Sequence, residues 1–429
     1  MFTGFNILIQ ENNNVAKKSL QYRIIYYLCL GKGKRMIETL YRTHDYLLRN
    51  KPKTLLRGLF HELDETQQLI GIEGSRGIGK TIFLLDWAKQ HYGVANRACL
   101  YVNLNQFLFT TTSLTEFASD FVSRGGKTLL LDQIFKYPGW QGELKECSRK
   151  FPELQIIYTT SVSDPSNSEP IKGSVNYFLP GLSLREFLML ESGIELPTIS
   201  WADLPTKHVE FAHYIMEQVN PLTRISDYLH HGYYPFYREE RNYSENLLKN
   251  VNMTLEVDLM YIRNIDQRML PKLRKLLYLV ALNASAPLNV SRLSKELELS
   301  RTTVVNYLLA MADAHLIRLV PRRSSIGKSS PKTPSMVYME NSNLYRLMHP
   351  SMSDENIVHR TFFQCNVGLQ HHIEHPQHAA ETFIVDDEFC FGMDRMPRVK
   401  DAYRQFRIEA NSTIGKGESL PLWLFGFLY

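Results

Sequence analysis

The residues of this chain best suited to chemistry lie in one run, Gly74-Ser75-Arg76-Gly77-Ile78-Gly79-Lys80-Thr81. It matches G-x-x-x-x-G-K-[ST] at every fixed position. Glycines at these spacings let the backbone curl until successive N–H groups point at phosphate oxygens. A helix opening at the end of the run adds its positive N-terminus. Lys80 would reach the β- and γ-phosphates of a bound nucleotide, ATP, and the Thr81 hydroxyl would ligate Mg²⁺. Such a loop needs a second metal carboxylate on a neighbouring strand, and Leu129-Leu130-Leu131-Asp132 supplies it. Asp132 is therefore expected to hold Mg²⁺, directly or through water.

These side chains need a rigid frame. Leu69-Ile70-Gly71-Ile72 reads as a buried strand leading into the loop, and Thr81 to His91 as a helix stopped by Gly93. Further strands are predicted at Ala98–Val102, Thr128–Leu131, Leu154–Tyr158 and Val175–Leu179. Between them come a helix opened by the capping box Ser113-Leu114-Thr115-Glu116 and another near 141–150. Strand–helix alternation of this kind means a parallel sheet with helices on both faces, the α/β class of P-loop NTPases. One strand separates the loop from Asp132 in sequence, which fits the additional-strand branch of P-loop ATPases. Members of that branch usually carry Glu after this Asp, to polarise the attacking water, whereas here Gln133 follows. An amide orients a water but cannot take its proton with carboxylate basicity.

Thr159-Thr160-Ser161 reads either as a γ-phosphate sensor or as a hydroxyl-rich strand end. Arg185 reads either as an arginine for the phosphates or as an ordinary surface helix residue. From 183 to 270 the strand signals fade and apolar spacing turns helical. Residues 37–190 are thus expected to form the ATPase domain and 191–270 a helical lid. Residues 1–36 read as an N-terminal extension outside the fold, either loosely attached or translated upstream of a start at Met36.

From 271 to 322 the pattern is a winged helix-turn-helix. Ser291 is expected to cap Arg292–Leu297 and Ser300 to cap Arg301–Ala312. Leu293, Leu297, Val304, Leu308 and Met311 form apolar faces. Arg301, Thr302 and Asn306 would then be exposed on the second helix, where DNA is a possible partner, although such modules also serve as rigid interdomain levers. A polar Pro/Ser/Lys-rich stretch covers 321–336, and 337–429 reads as a small α+β domain ending in a buried strand.

The chain has 429 residues, 49 basic and 44 acidic, with a net charge of +5. Its 23 Gly, 19 Pro and 44% hydrophobic residues exclude collagen-like, low-complexity and mainly disordered chains. Five dispersed cysteines, with no C-x-x-C pair, argue against a disulfide framework and for a reducing, cytoplasmic setting. No stretch approaches the ~20 apolar residues of a membrane helix. His371, His372, Glu374, His375 and His378 invite a metal site, but Pro376 interrupts any common helical face, so a polar loop is expected.

Taken together, several stretches resemble a group of bacterial and archaeal AAA-type ATPases. They are Ile72 to Thr81, Leu129-Leu130-Leu131-Asp132-Gln133-Ile134, Tyr137-Pro138-Gly139-Trp140, Ile156-Ile157-Tyr158-Thr159, Leu182-Ser183-Leu184-Arg185-Glu186-Phe187 and Pro421 to Tyr429. The resemblance covers about 37–429 and implies a P-loop ATPase, a winged helix and a C-terminal domain like restriction endonucleases. In that last domain Arg360 stands where the family has Glu, Thr382 where it has Asp, and Asp394 lacks a following Glu. A cation at a metal position disqualifies nuclease chemistry. Asp386, Asp387 and Glu388 read instead as an acidic hairpin turn. The expected function is an ATP-binding switch with weak Mg²⁺-dependent hydrolysis, acting on a protein client and capable of forming oligomers. The alternative is a DNA-binding or scaffold protein whose nucleotide is structural.

Overall fold

The computed structural model describes residues 37–429 outside 53, 162–172, 240–241, 264, 324–334, 351–352, 378, 380 and 400–402. The expected N-terminal extension and His378 lie outside the described residues, as does most of the 321–336 loop.

Short apolar runs buried on both faces make the central sheet. Its strands are β1 (Leu69–Glu73), β2 (Cys99–Asn103), β3 (Thr128–Asp132), β4 (Gln155–Thr160) and β5 (Ser174–Phe178). All pair in parallel in the order β2-β3-β4-β1-β5. The loop strand β1 and the Asp132 strand β3 are therefore separated in space by β4, the additional-strand arrangement read from the sequence. Alternate residues face opposite sides. Leu69, Leu129, Leu131 and Ile156 pack beneath α1 (37–50), α3 (Leu114–Ser123) and α4 (Trp140–Lys150). Ile70, Ile72, Leu130 and Ile157 face α2 (Lys80–Tyr92) and α5 (Leu184–Ser192). Ser113 and Glu116 form the expected capping box on α3.

The core on the α2/α5 side runs without a break into the rest of the chain. It continues through α6 (Leu204–Gln218), α7 (Tyr243–Met253) and a π-helical stretch, Thr254–Leu259. Next come α8 (Leu270–Leu282), β6 (Ala286–Pro287), α9 (Val290–Leu297), α10 (Arg301–Asp313), β7 (Ile317–Val320) and β8 (Met336–Met339). The last three strands form an antiparallel sheet in the order β6-β8-β7. Ser300 caps α10 through Thr303 N–H, as expected. The cap of α9 is Asn289, whose side chain takes the Arg292 N–H at 3.0 Å, not Ser291, which lies inside the helix. Arg301, Thr302 and Asn306 are exposed on α10, beside the half-exposed Leu309.

After α11 (Ser342–Met348) and α12 (Glu355–Val367), five strands close the fold: β9 (Ile373–Glu374), β10 (Thr382–Val385), β11 (Phe389–Met393), β12 (Arg404–Glu409) and β13 (Ser419–Pro421). They lie in the order β13-β12-β11-β10-β9, with parallel and antiparallel pairs mixed. Asp386 and Asp387, both at positive φ, make the turn between β10 and β11, as the acidic run suggested. The final segment departs from expectation. Only Ser419–Pro421 is strand, and Leu422–Phe427 winds into a fully buried 3₁₀ helix. It is wedged against α5 and α12, and a Cβ on Gly426 would sit 2.5 Å from the Leu184 Cβ. Such a close approach leaves no room for an extended strand with side chains on both faces.

Candidate functional site

The run Gly74–Gly79 joins β1 to α2. Gly77 and Gly79 have φ of 89° and 97°, a region costly for side-chain-bearing residues, so the loop's curl depends on them. A Cβ on Gly77 would meet Asn250 at 2.7 Å and Phe236 at 2.9 Å. The loop thus lies directly beneath the helical segment, and between them opens a cleft of about 830 Å³. One wall holds Arg76, Gly77, Gly79, Lys80, Thr81, Asp132, Gln133 and Ser161. The facing wall holds Pro235, Phe236, Arg238, Asn246, Lys249 and Asn250.

The hydroxyl of Thr81 donates to Asp132 Oδ2 at 2.8 Å. The same oxygen accepts from Tyr101 OH at 2.8 Å, and Asp132 Oδ1 accepts from Thr159 Oγ1 at 2.6 Å. Three hydroxyls from β2, β4 and α2 thereby fix a carboxylate that is 2% exposed. Thr159, one reading of which was a phosphate sensor, is committed to this task and also accepts the Gln133 N–H at 2.9 Å. Ser161 lines the cleft one turn of strand further on. Gln133 adopts the left-handed conformation (φ 57°, ψ 45°), and its Oε1 is buried with no hydrogen-bond partner among the described residues.

Lys80 is buried, with Nζ on the carbonyls of Gly74 (2.6 Å) and Ser75 (2.7 Å) of its own loop. Burial pushes its ammonium down to about 8, against the opposing pull of Asp132 and Asp258. Ser75 and Ile78 contribute backbone to the loop, and Ile78 is a core side chain. Arg76 turns away from the loop axis to a bidentate pair with Asp258, at 2.5 Å and 3.1 Å, on the π-helical stretch.

The structure does not bring Arg185 to the cleft. Its guanidinium donates to the carbonyls of Leu196 (3.0 Å) and Tyr429 (3.1 Å), on the side of α5 facing the final segment. The arginine that touches the loop from outside is Arg57. It donates to Ile78 O (3.3 Å), Pro180 O and Gly181 O (both 2.8 Å) and pairs with Glu186 at 3.0 Å. Burial pushes the Glu186 carboxyl up, but the Arg57 charge and hydrogen bonds outweigh it and hold the group below its ordinary range. The run Leu182 to Phe187 is thus a seam in which Ser183 and Glu186 cap α5 while Glu186 orients Arg57.

Sequence reasoning missed Arg57, Tyr101, Arg238, Lys249 and Asp258. None carries a local signal: Arg57, Tyr101 and Asp258 acquire their roles from partners far away along the chain, and Arg238 and Lys249 from where the helical segment folds over the loop. Among the described residues the C-terminal histidines join no group of three or more His, Cys, Asp or Glu side chains that could hold a metal. His375 is buried between Tyr338 OH (3.0 Å) and Thr382 O (2.8 Å), and His371 pairs with Asp386. Thr382 is buried in β10, and Arg360 donates to Asn356 O within α12.

Residues 66–188 match the family described as an AAA domain, and 222–349 one described as a domain of unknown function (DUF8612). No curated protein matches the chain. Among solved structures it is similar to AMPPCP-bound DnaA from Aquifex aeolicus, at 18% identity over 59% of this chain and 84% of that one, with a TM-score of 0.23. It is also similar to PCH-2 from C. elegans, at 14% identity over 65% and 67% of the two chains, again with a TM-score of 0.23. The class rests on the AAA match, the sheet order and the loop. The chain carries a P-loop NTPase domain of the α/β class, similar over residues 66–188 to the AAA family, followed by a helical segment and two smaller sheet units. No described helix is long and apolar enough to cross a membrane.

Proposed function

We propose that the cleft binds ATP with Mg²⁺ and that the bound nucleotide acts as a switch, with slow hydrolysis. The observation that carries this reading is the 2.8 Å contact between Thr81 and Asp132 at the mouth of a loop curled on Gly77 and Gly79. Two hard oxygen donors side by side, next to a cradle of backbone amides, suit a divalent ion and a polyphosphate. Thr81 and Asp132 would hold Mg²⁺, which when bound neutralises phosphate charge. Gly74 to Gly79 would supply amides and Lys80 an ammonium, released from its own carbonyls by a stronger acceptor. Arg238 and Lys249 add positive charge from the facing wall.

Gln133 supports slow turnover. Its unpartnered Oε1 can accept a hydrogen bond from a water and orient it, but an amide takes no proton. Nucleotide occupancy would then be read out through contacts between loop and helical segment. The unit α8-β6-α9-α10-β7-β8 we read as a winged helix, and the final five-stranded unit as a nuclease-like domain without nuclease chemistry. Exposure of Arg301, Thr302 and Asn306 favours the second reading, duplex DNA as a partner of α10.

Lys80→Ala should abolish binding of a fluorescent ATP analogue, and unchanged affinity would defeat the proposal. Steady-state phosphate release, with and without duplex DNA, separates the two readings. A low but measurable rate that rises in Gln133→Glu supports the switch, whereas no turnover under any condition, with DNA bound, supports the structural-nucleotide alternative.

A further inference from the structure

A second cavity, of about 380 Å³, lies between the helical segment and α11. Its polar lining comes from His230 in the π-helical stretch Tyr228–Gly232, Tyr243 and Ser244 at the start of α7, Asn343 and Arg346 on α11, His349 just after α11, and Ser353. It shares no lining residue with the nucleotide cleft, although α7 forms part of the wall of both. The lining holds one guanidinium, two imidazoles and hydroxyls, and no carboxylate.

Arg346 is held at its outer edge. Nη1 donates to Ser353 Oγ, and Nη2 to both oxygens of the largely exposed Glu355, all at 2.8 Å. Its Nε is buried and has no hydrogen-bond partner among the described residues. An unsatisfied donor on a buried charged group is rare and unfavourable, and it marks a place where an acceptor is expected. Asn343 cannot be that acceptor. Its Oδ1 already accepts from Tyr233 N–H and Tyr243 OH, and its Nδ2 donates to the Tyr228 and Leu229 carbonyls. His349 Nδ1–H donates to Tyr345 O at 3.1 Å, so its Nε2 is an acceptor in the neutral ring and a donor once the ring is protonated. Burial, and after it the Arg346 charge, hold His230 below its ordinary range, which favours the neutral imidazole, a hydrogen-bonding partner rather than a charge.

We propose that this cavity is an oxyanion site, built for the phosphate group of a small phosphomonoester or for free phosphate. Arg346 Nε, His230 and Ser244 supply the donors, joined by His349 Nε2 when that ring is protonated, since a guanidinium N–H with imidazole and hydroxyl donors matches phosphate oxygens. The volume exceeds that of phosphate alone, and Tyr243, Leu247 and Leu347 line the remainder, which suits a compact organic body. The site does not depend on the nucleotide reading.

The test is protection of His230 and His349 from diethylpyrocarbonate in the full-length chain, read peptide by peptide by mass spectrometry. Inorganic phosphate and phenyl phosphate are the two probes, with sodium chloride at matched ionic strength as control. The measurement is repeated in Lys80→Ala, so that anion binding at the P-loop is not what is read. Saturable protection of both histidines is expected, weakened at least tenfold in Arg346→Gln and several-fold in Ser244→Ala. The serine is exposed and its replacement leaves the fold intact, so the test survives if the arginine variant does not fold. Equal protection by both probes assigns the site to free phosphate, and tighter protection by phenyl phosphate to a phosphomonoester. No protection at millimolar probe, protection equalled by chloride, or protection unchanged in Ser244→Ala and Arg346→Gln overturns the proposal.

Discussion

Arg76 and Asp258 form the most exacting test of how this P-loop is held. The pair joins residues 182 positions apart, through one contact of 2.5 Å and one of 3.1 Å. The two partners are not equivalent: the Asp258 side chain is fully buried, whereas that of Arg76 keeps 18% exposure at the cleft. Arg76→Ala therefore strands a buried carboxylate, and such a loss costs about 3–5 kcal/mol. Lys136 provides only partial relief. Burial and then Arg76 hold it below its ordinary range; losing Arg76 removes one of those penalties, but its ammonium does not reach the bidentate geometry. Asp258→Ala instead releases a guanidinium that can turn into the open cleft and solvate, which should cost only about 1–2 kcal/mol. The double variant should restore part of the larger loss, with a coupling energy of about 1–3 kcal/mol. Urea unfolding of the wild type, both single variants and the double variant measures all four corners. Equal losses in the two single variants, or a larger loss in Asp258→Ala, would refute the claim that the burial asymmetry controls the energetics.

Lys80 gives a pH signature. Its folded value of about 8 lies below the ordinary 10.5, so between those values the unfolded chain keeps a proton that the folded chain has lost. Stability from this group should therefore rise with pH from about 8 to 10.5, while at lower pH the folded state carries the full penalty of the buried ammonium. Lys80→Met should remove that slope in thermal unfolding, and an identical slope in the variant would show that another group is responsible. Thr159→Val removes a donor to Asp132 and the acceptor of the Gln133 N–H. It should cost about 1–2 kcal/mol of the Mg²⁺-dependent part of ATP affinity and little of the affinity in EDTA, measured by titration calorimetry. Gly426→Ala places a methyl group 2.5 Å from the Leu184 Cβ, between rigid elements, and should destabilise by about 1–3 kcal/mol in urea unfolding. A neutral result would mean that the final 3₁₀ segment yields easily.

The parts of the site legible from sequence are those whose chemistry is local. The loop's glycines, Lys80 and Thr81 sit within one turn of chain, and Asp132 is marked by three apolar residues ahead of it. Capping Ser113 and Ser300 were readable for the same reason, since a cap acts three residues away. Cap choice already marks a limit. Asn289 and Ser291 are both competent caps, and the start of α9 was decided by how the chain leaves β6.

Arg185 and Arg57 show what the chain alone could not fix. One touches the loop and the other does not, yet nothing within a few residues of either distinguishes one that binds ligand from one that binds backbone. The direction of the Arg185 side chain follows from α5 being pinned between the sheet and the final segment, which aims it at the carbonyls of Leu196 and Tyr429. Arg57 reaches the loop because Glu186, 129 residues away, receives it. Alternation of apolar and helical segments settled the class of sheet, the strand positions and the phosphate loop, since these depend on burial period and backbone freedom along the chain. The tertiary structure decided the strand order, the three hydroxyls around Asp132, the helical wall of the cleft and the pairing of Arg76. Those depend on contacts between residues whose separation in sequence carries no information about their distance in space.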